Sequence, residues 1–487
     1  MTKTKDKSTL HIIIGIAIFL LMRIFIPATN GLTSIGVSVL SVFVATVYLW
    51  ITIGTGWPSL LCILGMILTG VKTPAEIWAA SFGSWLIPFL IFCFMFSIAL
   101  TETGFMRRII TWFITRKFVE NRPWAFITML LVGEYILGLI MDCTAESVFV
   151  LPLCLELFEM LECKKEDKLV KVILIGSICS TILSTLATPI GHVIPVMYIG
   201  YALADHGAAV SLIKYTICAL PACTVTLALM ILYFKFIVRP DVSKLQNYNV
   251  EMARKNLPPK TKQETYVATA YFICIALWIL PDLISGILPG VASYISGLGY
   301  AVAPGIALCI MCMVKVNGKP AMNYVDLFSK VNWNTIILVC CMNTLSSTIT
   351  AASTGVSTWL GNVMSPLVAS VSSGMVIVAI AAIWDIVQTN FMSCFATGAM
   401  VYAAIVPMCI AFPALGVSPA AMTLLIGMGC GFGALIPPAS GPPSVLMSTD
   451  WCTPSDSFKI TPPIIVIFIL ATIFLAYPLF SAMVAAL

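Results

Sequence analysis

Two carboxylates interrupt an apolar part of the chain, and their position suggests ion binding. Asp142 and Glu146 lie in MDCTAESVFVLP (141–152), between the apolar runs TMLLVGEYILGLI and VFVLPLCLELF. A charged side chain at the bilayer centre costs about 2.5–3.5 kcal/mol even on a lenient scale, so it is rare unless paired, hydrated or functional. Asp142 is therefore a candidate Na⁺ ligand, because hard cations prefer oxygen ligands, or a carrier of a coupling proton. The alternative role is to cap a helix N-terminus, which does not exclude cation binding.

Three more ionisable residues occur in similar apolar settings. Glu134 lies eight residues before Asp142, and Asp385 is the nearest acid in a second polar segment of the same kind. His192 follows Gly191 and could donate to a solute carboxylate or titrate as a coupling group. The alternatives are stabilisation of a first helical turn by Glu146 and helix packing by His192.

Small hydroxyl residues cluster in two segments, MDCTAES (141–147) and QTNFMSCFATG (388–398). Such residues allow backbones and a solute to approach closely, although single hydroxyls often bond back to their own helix. The clustering at both places favours a shared role, and the residues concerned are Thr144, Ser147, Thr389, Ser393 and Thr397.

The composition identifies the class of protein that positions these residues. Of the 487 residues, 60% are hydrophobic and only 10% charged, against about 25% charged in soluble proteins. Apolar runs long enough to cross the hydrocarbon core recur along the chain. We predict an all-α polytopic membrane protein with about 11 transmembrane helices, near 10–28, 34–53, 56–71, 84–104, 170–204, 211–237, 265–283, 297–314, 333–351, 418–448 and 462–485.

Two further apolar segments, 123–160 and 369–413, are too long for one span and too short for two spans with a loop. Each has polar residues at its centre, which predicts a re-entrant hairpin buried in protein. The 17 cysteines lie mostly inside apolar runs and behave as small hydrophobes. No second CxxC accompanies the first, so no metal is expected beyond a possible Na⁺.

The basic residues predict the orientation. Most Lys and Arg residues fall in loops on one side of the predicted spans, which places the N-terminus in the cytoplasm and the C-terminus outside. The net charge of +5 is spread over these loops, so nucleic-acid binding is not expected. The apolar run after the basic N-terminus lacks a small-residue cleavage site, so it is predicted to remain as an uncleaved first span. We predict a multi-pass protein of the plasma membrane, in a bacterium the inner membrane.

A polar, proline-containing loop at 239–264 divides the chain into two halves of similar order. Residues 1–33 form an extra span, followed by a first repeat at 34–238 with hairpin 123–160 and broken helix 170–204. The second repeat, 265–487, contains hairpin 369–413 and broken helix 418–448. The halves begin on opposite sides of the membrane, which predicts the inverted repeats typical of secondary transporters.

Proline and glycine interrupt one long helix in each half, in STLATPIGHVIP (184–195) and GALIPPASGPPSVLMST (433–449). Unwound backbone frees carbonyls for a cation, and the adjoining helix N-termini attract an anion. A packing kink would explain one break. Two breaks at matching positions favour a solute site.

This organisation resembles the divalent anion:sodium symporter family of the ion transporter superfamily. DCTAESVFVLP and SCFAT are similar to that family's hairpin-tip motif, in which Ser-Asn-Thr is followed by Ala-Thr. Asp142 stands in place of Ser, Cys143 and Cys394 in place of Asn, and Phe395 in place of Thr. LTETGFMRRIITWFITR and ENRPW are similar to the family's segment before the first hairpin.

The resemblance implies two groups of site residues. The implied substrate-binding residues are Cys143, Thr144, Thr188, Pro189, His192, Ser393, Cys394, Phe395, Gly441 and Pro442. The cation-binding residues are then Asp142, Glu146, Ala187, Thr389, Cys394 and Ser440. The resemblance also implies a homodimer and elevator-like motion of the hairpin-bearing domain.

The sequence thus predicts a secondary active transporter, without a cofactor, that couples Na⁺ or H⁺ to symport of a small organic anion such as a di- or tricarboxylate. The alternatives are a cation/proton antiporter, or a metalloid or anion efflux carrier, of the same superfamily. A membrane-embedded enzyme is a remote alternative, because the chain has no metal motif, no Ser/His/Asp set and no soluble domain. The chain also lacks an ATP-binding glycine-rich loop, so it is not expected to be a primary pump.

Overall fold

The computed structural model describes residues 2–247, 259–356, 358–359, 362–363 and 373–487. The described helices before the central loop are α1 (Thr2–Phe25), α2 (Ser34–Thr52), α3 (Gly56–Thr69), α4 (Pro74–Ala80), α5 (Leu86–Glu102), α6 (Phe105–Ile114), α7 (Pro123–Gly138), α8 (Cys143–Met160), α9 (Lys168–Ala187), α10 (Val193–His206) and α11 (Leu212–Tyr233). Those after it are α12 (Lys262–Ile284), α13 (Pro289–Gly297), α14 (Val302–Met313), α15 (Tyr324–Lys330), α16 (Trp333–Ile349), α17 (Gly374–Thr389), α18 (Cys394–Ala411), α19 (Pro419–Cys430), α20 (Gly441–Met447), α21 (Pro454–Ala471) and α22 (Tyr477–Ala485). Two short strands, β1 (Lys315–Val316) and β2 (Lys319–Pro320), pair antiparallel after α14.

The helices confirm an all-α polytopic membrane architecture. Within the described residues, six helices are long and apolar enough to cross a membrane, and nine spans result if each bent helix pair is one span. The bent pairs are α5 with α6 at 62°, α13 with α14 at 71°, and α15 with α16 at 64°. Two parts of the predicted organisation lie outside the described residues, namely 248–258 of the loop and 369–372 of the second hairpin.

Each predicted hairpin consists of two antiparallel helices joined by four residues. In the first, α7 is joined to α8 through residues 139–142; in the second, α17 is joined to α18 through residues 390–393. Each helix of the second hairpin begins and ends 251 residues after its counterpart in the first hairpin. Pro123 corresponds to Gly374, Gly138 to Thr389, Cys143 to Cys394 and Met160 to Ala411. This equality of length supports the proposed repeat.

A buried helix forms the base on which each hairpin packs. In α9, every residue from Leu169 to Ala187 except Lys171 is buried, and in α19 every residue from Ala420 to Cys430 is buried. Glycines in α9 and α19 permit the close approach of the hairpin helices. Gly176 of α9 lies against Leu131 of α7, and Gly429 of α19 lies against Asp385 of α17. At the tips, Met141 and Asn390 are buried, whereas Phe391 is 53% exposed.

Both long helices are broken at the predicted motifs. The first break is confined to residues 188–192, because α9 continues to Ala187 and α10 resumes at Val193. Pro195 is tolerated as the third residue of α10, since N–H groups of the first helical turn need no intrahelical partner. The second break covers residues 431–440, and Pro442 and Pro443 then lie in the first turn of the short helix α20. The unwound segments are shorter than the motifs that predicted them.

Ion pairs tie the two halves together at the end of the molecule where the basic loops lie. Arg108 of α6 donates to both carboxylate oxygens of Glu264 in α12, at 2.6 and 2.9 Å. Glu264 is only 1% exposed. Helix α12 begins at Lys262, three residues before the predicted span, because Thr261 accepts the backbone N–H of Glu264 and caps the helix there. This bidentate pair is well shielded from water and anchors α12 against α6.

Replacing Glu264 by Gln should lower the thermal unfolding temperature in detergent. The substitution removes one charge of a shielded bidentate pair, which costs about 1–3 kcal/mol. The matched control is Glu102→Gln, because Glu102 pairs with Lys330 at 2.6 Å but both side chains are nearly half exposed. Such an exposed pair contributes about 0–1 kcal/mol. Equal temperature shifts for the two variants would contradict the anchoring role of Glu264.

Candidate functional site

The first hairpin tip presents Asp142 as the N-cap of α8. Its Oδ1 accepts the backbone N–H groups of Thr144 and Ala145, at 3.0 and 3.2 Å. Asp142, Cys143 and His192 each offer a ligand atom, and these atoms lie within 4.8 Å of one another. Asp142 is thus both a helix cap, as one interpretation of the sequence held, and a member of a compact polar group with His192.

His192 caps α10 in the same region. Its Nδ1 accepts the backbone N–H of Ile194 at 3.4 Å. In the neutral ring, this role places the hydrogen on Nε2. His192 therefore presents an N–H donor next to the carboxylate of Asp142, at the start of a helix whose N-terminal dipole favours negative charge.

The hairpin tip and the first break are in direct contact. A methyl group at Gly191 would overlap the backbone of Met141, so no larger residue fits there without displacing the tip. A narrow cleft beside this contact separates the tip from α5 and α12, and Asp142, His192, Ser97 and Tyr271 contribute to its wall. The Oγ of Ser97 is buried and has no hydrogen-bond partner.

Residues of the second half of the chain also lie at the first hairpin tip. Gly441, the first residue of α20, lies against the side chain of Thr144. The backbone N–H of Cys394 donates to the carbonyl of Ala439 at 3.1 Å, which joins the second tip to the second break. The structure therefore brings together both tips and both breaks, as the sequence pattern predicted for a solute site.

The remaining predicted substrate residues lie in or beside these four segments. Thr188 is 2% exposed and accepts the N–H of Ile190, which closes the turn after α9. Ser393 is the N-cap of α18 but makes no side-chain cap hydrogen bond. Phe395 is half-buried in the first turn of α18. Pro189 is buried within the first break, and Pro442 is buried in the first turn of α20, directly after the second break.

The predicted cation ligands are not all in one place. Glu146 is fully buried, but its carboxylate lies beside Gly138 and Ser184, within the arms of the hairpin and outside the Asp142–Cys143–His192 group. Thr389 donates to the carbonyl of Cys430 at 2.7 Å, and Ser440 donates to the carbonyl of Gly433 at 2.6 Å. Ala187 is the buried last residue of α9.

Asn390 holds the second break in shape, and the sequence analysis did not identify it. Its Nδ2 donates to the carbonyls of Ile386 and Phe432, at 2.8 and 2.9 Å. Its Oδ1 accepts the N–H groups of Ala434 and Leu435, at 2.9 and 3.0 Å. An amide directly after α17 and some forty residues before a Pro-Pro break was the available signal, but the pairing is visible only in three dimensions.

Comparison with known proteins identifies the family. The model of the sodium:sulfate symporter transmembrane region matches residues 6–486, nearly the whole chain. The chain belongs to this family. The resemblance inferred from the tip and break motifs is therefore confirmed, and the protein is a membrane transporter of the sodium-coupled anion symporter type, not an enzyme.

The fold of this symporter is similar to that of a solved transporter structure. The Alcanivorax borkumensis YdaH transporter, described as having an unusual topology, is 12% identical, and the match covers 86% of this chain and 88% of that chain with a TM-score of 0.54. At this identity the similarity shows the fold alone. No curated protein matches the chain.

Gly191→Ala should abolish transport while the protein still inserts and folds. The added methyl group must displace the backbone of Met141, and overpacking of this kind costs about 1–3 kcal/mol. Gly200→Ala is the matched control, because nothing lies within 4 Å of a methyl group at that helical glycine. Sodium-driven anion uptake into proteoliposomes distinguishes the two variants. Normal uptake by Gly191→Ala would show that contact between the first tip and the first break is not required for transport.

Asn390→Ala should lower the unfolding temperature strongly. It removes the side-chain partner of two backbone N–H groups and two backbone carbonyls, and each buried group left unpaired costs about 1–3 kcal/mol. Asn323→Ala is the control, because exposed Asn323 makes one cap hydrogen bond at 3.3 Å, worth about 1 kcal/mol. A shift for Asn390→Ala no larger than that of the control would mean that the break is held by other contacts.

Proposed function

We propose that this protein is a sodium-coupled symporter of a small organic dianion or trianion, such as a di- or tricarboxylate. The solute would lie between the two tips and the two breaks. The coupling sodium ion would lie at the first tip, with Asp142 as its charged ligand.

Anion binding is supported by the hydrogen-bond donors that lie around the two tips and the two breaks. Helices α8, α10 and α18 all begin in the tip and break segments, so the positive ends of their dipoles lie in one region. His192, Thr144 and the unpartnered hydroxyl of Ser97 add side-chain donors. Among the described residues that line the cleft, none is Lys or Arg. The anion would therefore be held by dipoles and neutral donors.

The single observation that carries the proposal is the carboxylate of Asp142 within this anion-binding region. Two negative charges about 5 Å apart repel by roughly 3 kcal/mol at an effective dielectric of about 20. A sodium ion on the free oxygen of Asp142 removes this repulsion. Anion affinity should therefore rise on the order of a hundredfold when sodium is bound, which is the coupling that a symporter requires.

An organic solute, in place of sulfate, is supported by the apolar residues that border the region. Phe395 begins α18 next to Cys394, while Ile190 and Val193 flank His192 in the cleft. A site for sulfate alone needs polar contacts on every side. Apolar walls beside the donors suit a short carbon chain with carboxylates at its ends.

The test is uptake of labelled succinate, citrate and sulfate into proteoliposomes under an inward sodium gradient. We expect accumulation of at least one carboxylate. Accumulation of sulfate alone would contradict the organic solute, and accumulation of none would contradict symport of these anions.

Asp142→Asn tests the coupling in the same proteoliposomes. Asn caps a helix about as well as Asp, so the fold should be kept. Succinate or citrate should then protect the variant against thermal unfolding as well in choline chloride as in sodium chloride, and sodium-driven accumulation should be lost. Asp450→Asn is the control, because Asp450 is exposed and lies outside the site. Unchanged sodium dependence in Asp142→Asn would show that Asp142 is a cap only.

A further inference from the structure

Buried polar atoms without partners are concentrated in the hairpin arms. Within the described residues, ten buried side-chain nitrogen and oxygen atoms have no hydrogen-bond partner, and seven of them belong to five residues of the hairpins and the helices beneath them. Native structures leave few such atoms, and those that remain require an explanation, such as an ion or a proton. The five residues are Glu134, Glu146, Tyr198, Asp385 and Thr397.

Four of these residues occupy equivalent positions in the two hairpins. Asp385 follows Glu134 by 251 residues, and Thr397 follows Glu146 by the same number, which is the offset between the hairpin helices. Each acid lies one turn before the end of the first arm, below the tip. Two halves with different sequences thus place unpartnered oxygens at the same depth.

Asp385 lies in an uncharged pocket of α17, α18, α19 and α10. Gly429 makes room for its carboxylate, because a methyl group there would overlap Oδ2. The ionisable groups that face it are Tyr198 from α10, Cys430 from α19 and Cys394 from α18. Helix α21 also packs on α17, and its charged residues, Asp456 and Lys459, lie in its first two turns.

Glu134 has a similar environment on α7. Its Oε1 accepts the hydroxyl of Ser177 in α9 at 2.9 Å, whereas Oε2 is unpartnered. The ionisable groups that face it from α8 are Glu146 and Cys154. The charged and ionisable residues on the other elements that pack against α7 are Arg107 and Arg108 of α6, Lys117 before α7, Lys168, Lys171 and Cys179 of α9, and Lys244 after α11. No ion pair among the described residues includes Glu134 or Asp385.

A buried carboxylate without a cation or N–H donors is costly, by several kcal/mol even after relaxation. Sodium would need several oxygen ligands, yet the side chains that face Asp385 are the hydroxyl of Tyr198 and the thiols of Cys394 and Cys430, and sulfur suits hard cations poorly. A proton satisfies the same group without further ligands, because the neutral carboxyl both donates and accepts.

We propose that Asp385 and its counterpart Glu134 bind protons, at sites separate from the sodium site at Asp142. This assignment does not depend on which anion is carried.

Infrared difference spectroscopy of the purified full-length protein tests the assignment without any solute. The C=O stretch of protonated carboxyl groups should be present at neutral pH. Asp385→Asn and Glu134→Gln should each remove part of that band, and both variants should fold because each mimics the neutral acid. The exposed controls Asp450→Asn and Glu156→Gln should leave the band unchanged. Absence of any loss in both hairpin variants, or disappearance of the band on adding sodium chloride at constant pH, would overturn proton binding.

Discussion

Unwound backbone deep inside a membrane protein must have every polar group satisfied by protein, and this constraint organises the structure. Non-helical backbone at that depth is tolerated only where it is buried in protein or lines a cavity. Asp142 and His192 cap the helices that start in the first half, and Asn390 binds four backbone groups around the second break. The contacts of Gly191 with Met141 and of Gly441 with Thr144 then leave the segments close together. The proposed solute site would thus be a consequence of how the interrupted helices are stabilised.

The negative charge of Asp142 is the second element of this arrangement. An anion-binding region built from helix N-termini and neutral donors would bind its solute without any cation. On the proposed assignment, a carboxylate within that region would make anion binding dependent on a cation, because the repulsion would have to be neutralised first. The family to which the chain belongs couples sodium to anion symport, and the position of Asp142 supplies a physical reason for such coupling in a tip where the family motif has neutral Ser.

The hairpin arms contain a different kind of acid. Glu134 and Asp385 lie below the tips, against buried helices, where neither solute nor loop reaches them. The sequence showed both residues as acids in apolar surroundings and could not separate them from Asp142. The structure separates them, because Asp142 caps a helix and borders the cleft, whereas Glu134 and Asp385 have unpartnered oxygens in closed pockets. Glu146 was grouped with Asp142 from its spacing of one helical turn, yet its carboxylate lies within the hairpin arms.

The sequence by itself determined the class of protein, the two hairpins, the two breaks and the family. Apolar run length, proline and glycine are local signals, and membrane helices must satisfy their own backbone, so each signal corresponds to one element. Only the tertiary structure decided which polar groups meet. The bonds of Asn390 to the second break, the place of Ser97 beside Asp142 and His192 in the cleft, and the hydrogen bond from Ser177 to Glu134 involve residues that are far apart in the chain. Side-chain direction and partner depend on how helices pack against each other, and no single segment of the sequence contains that information.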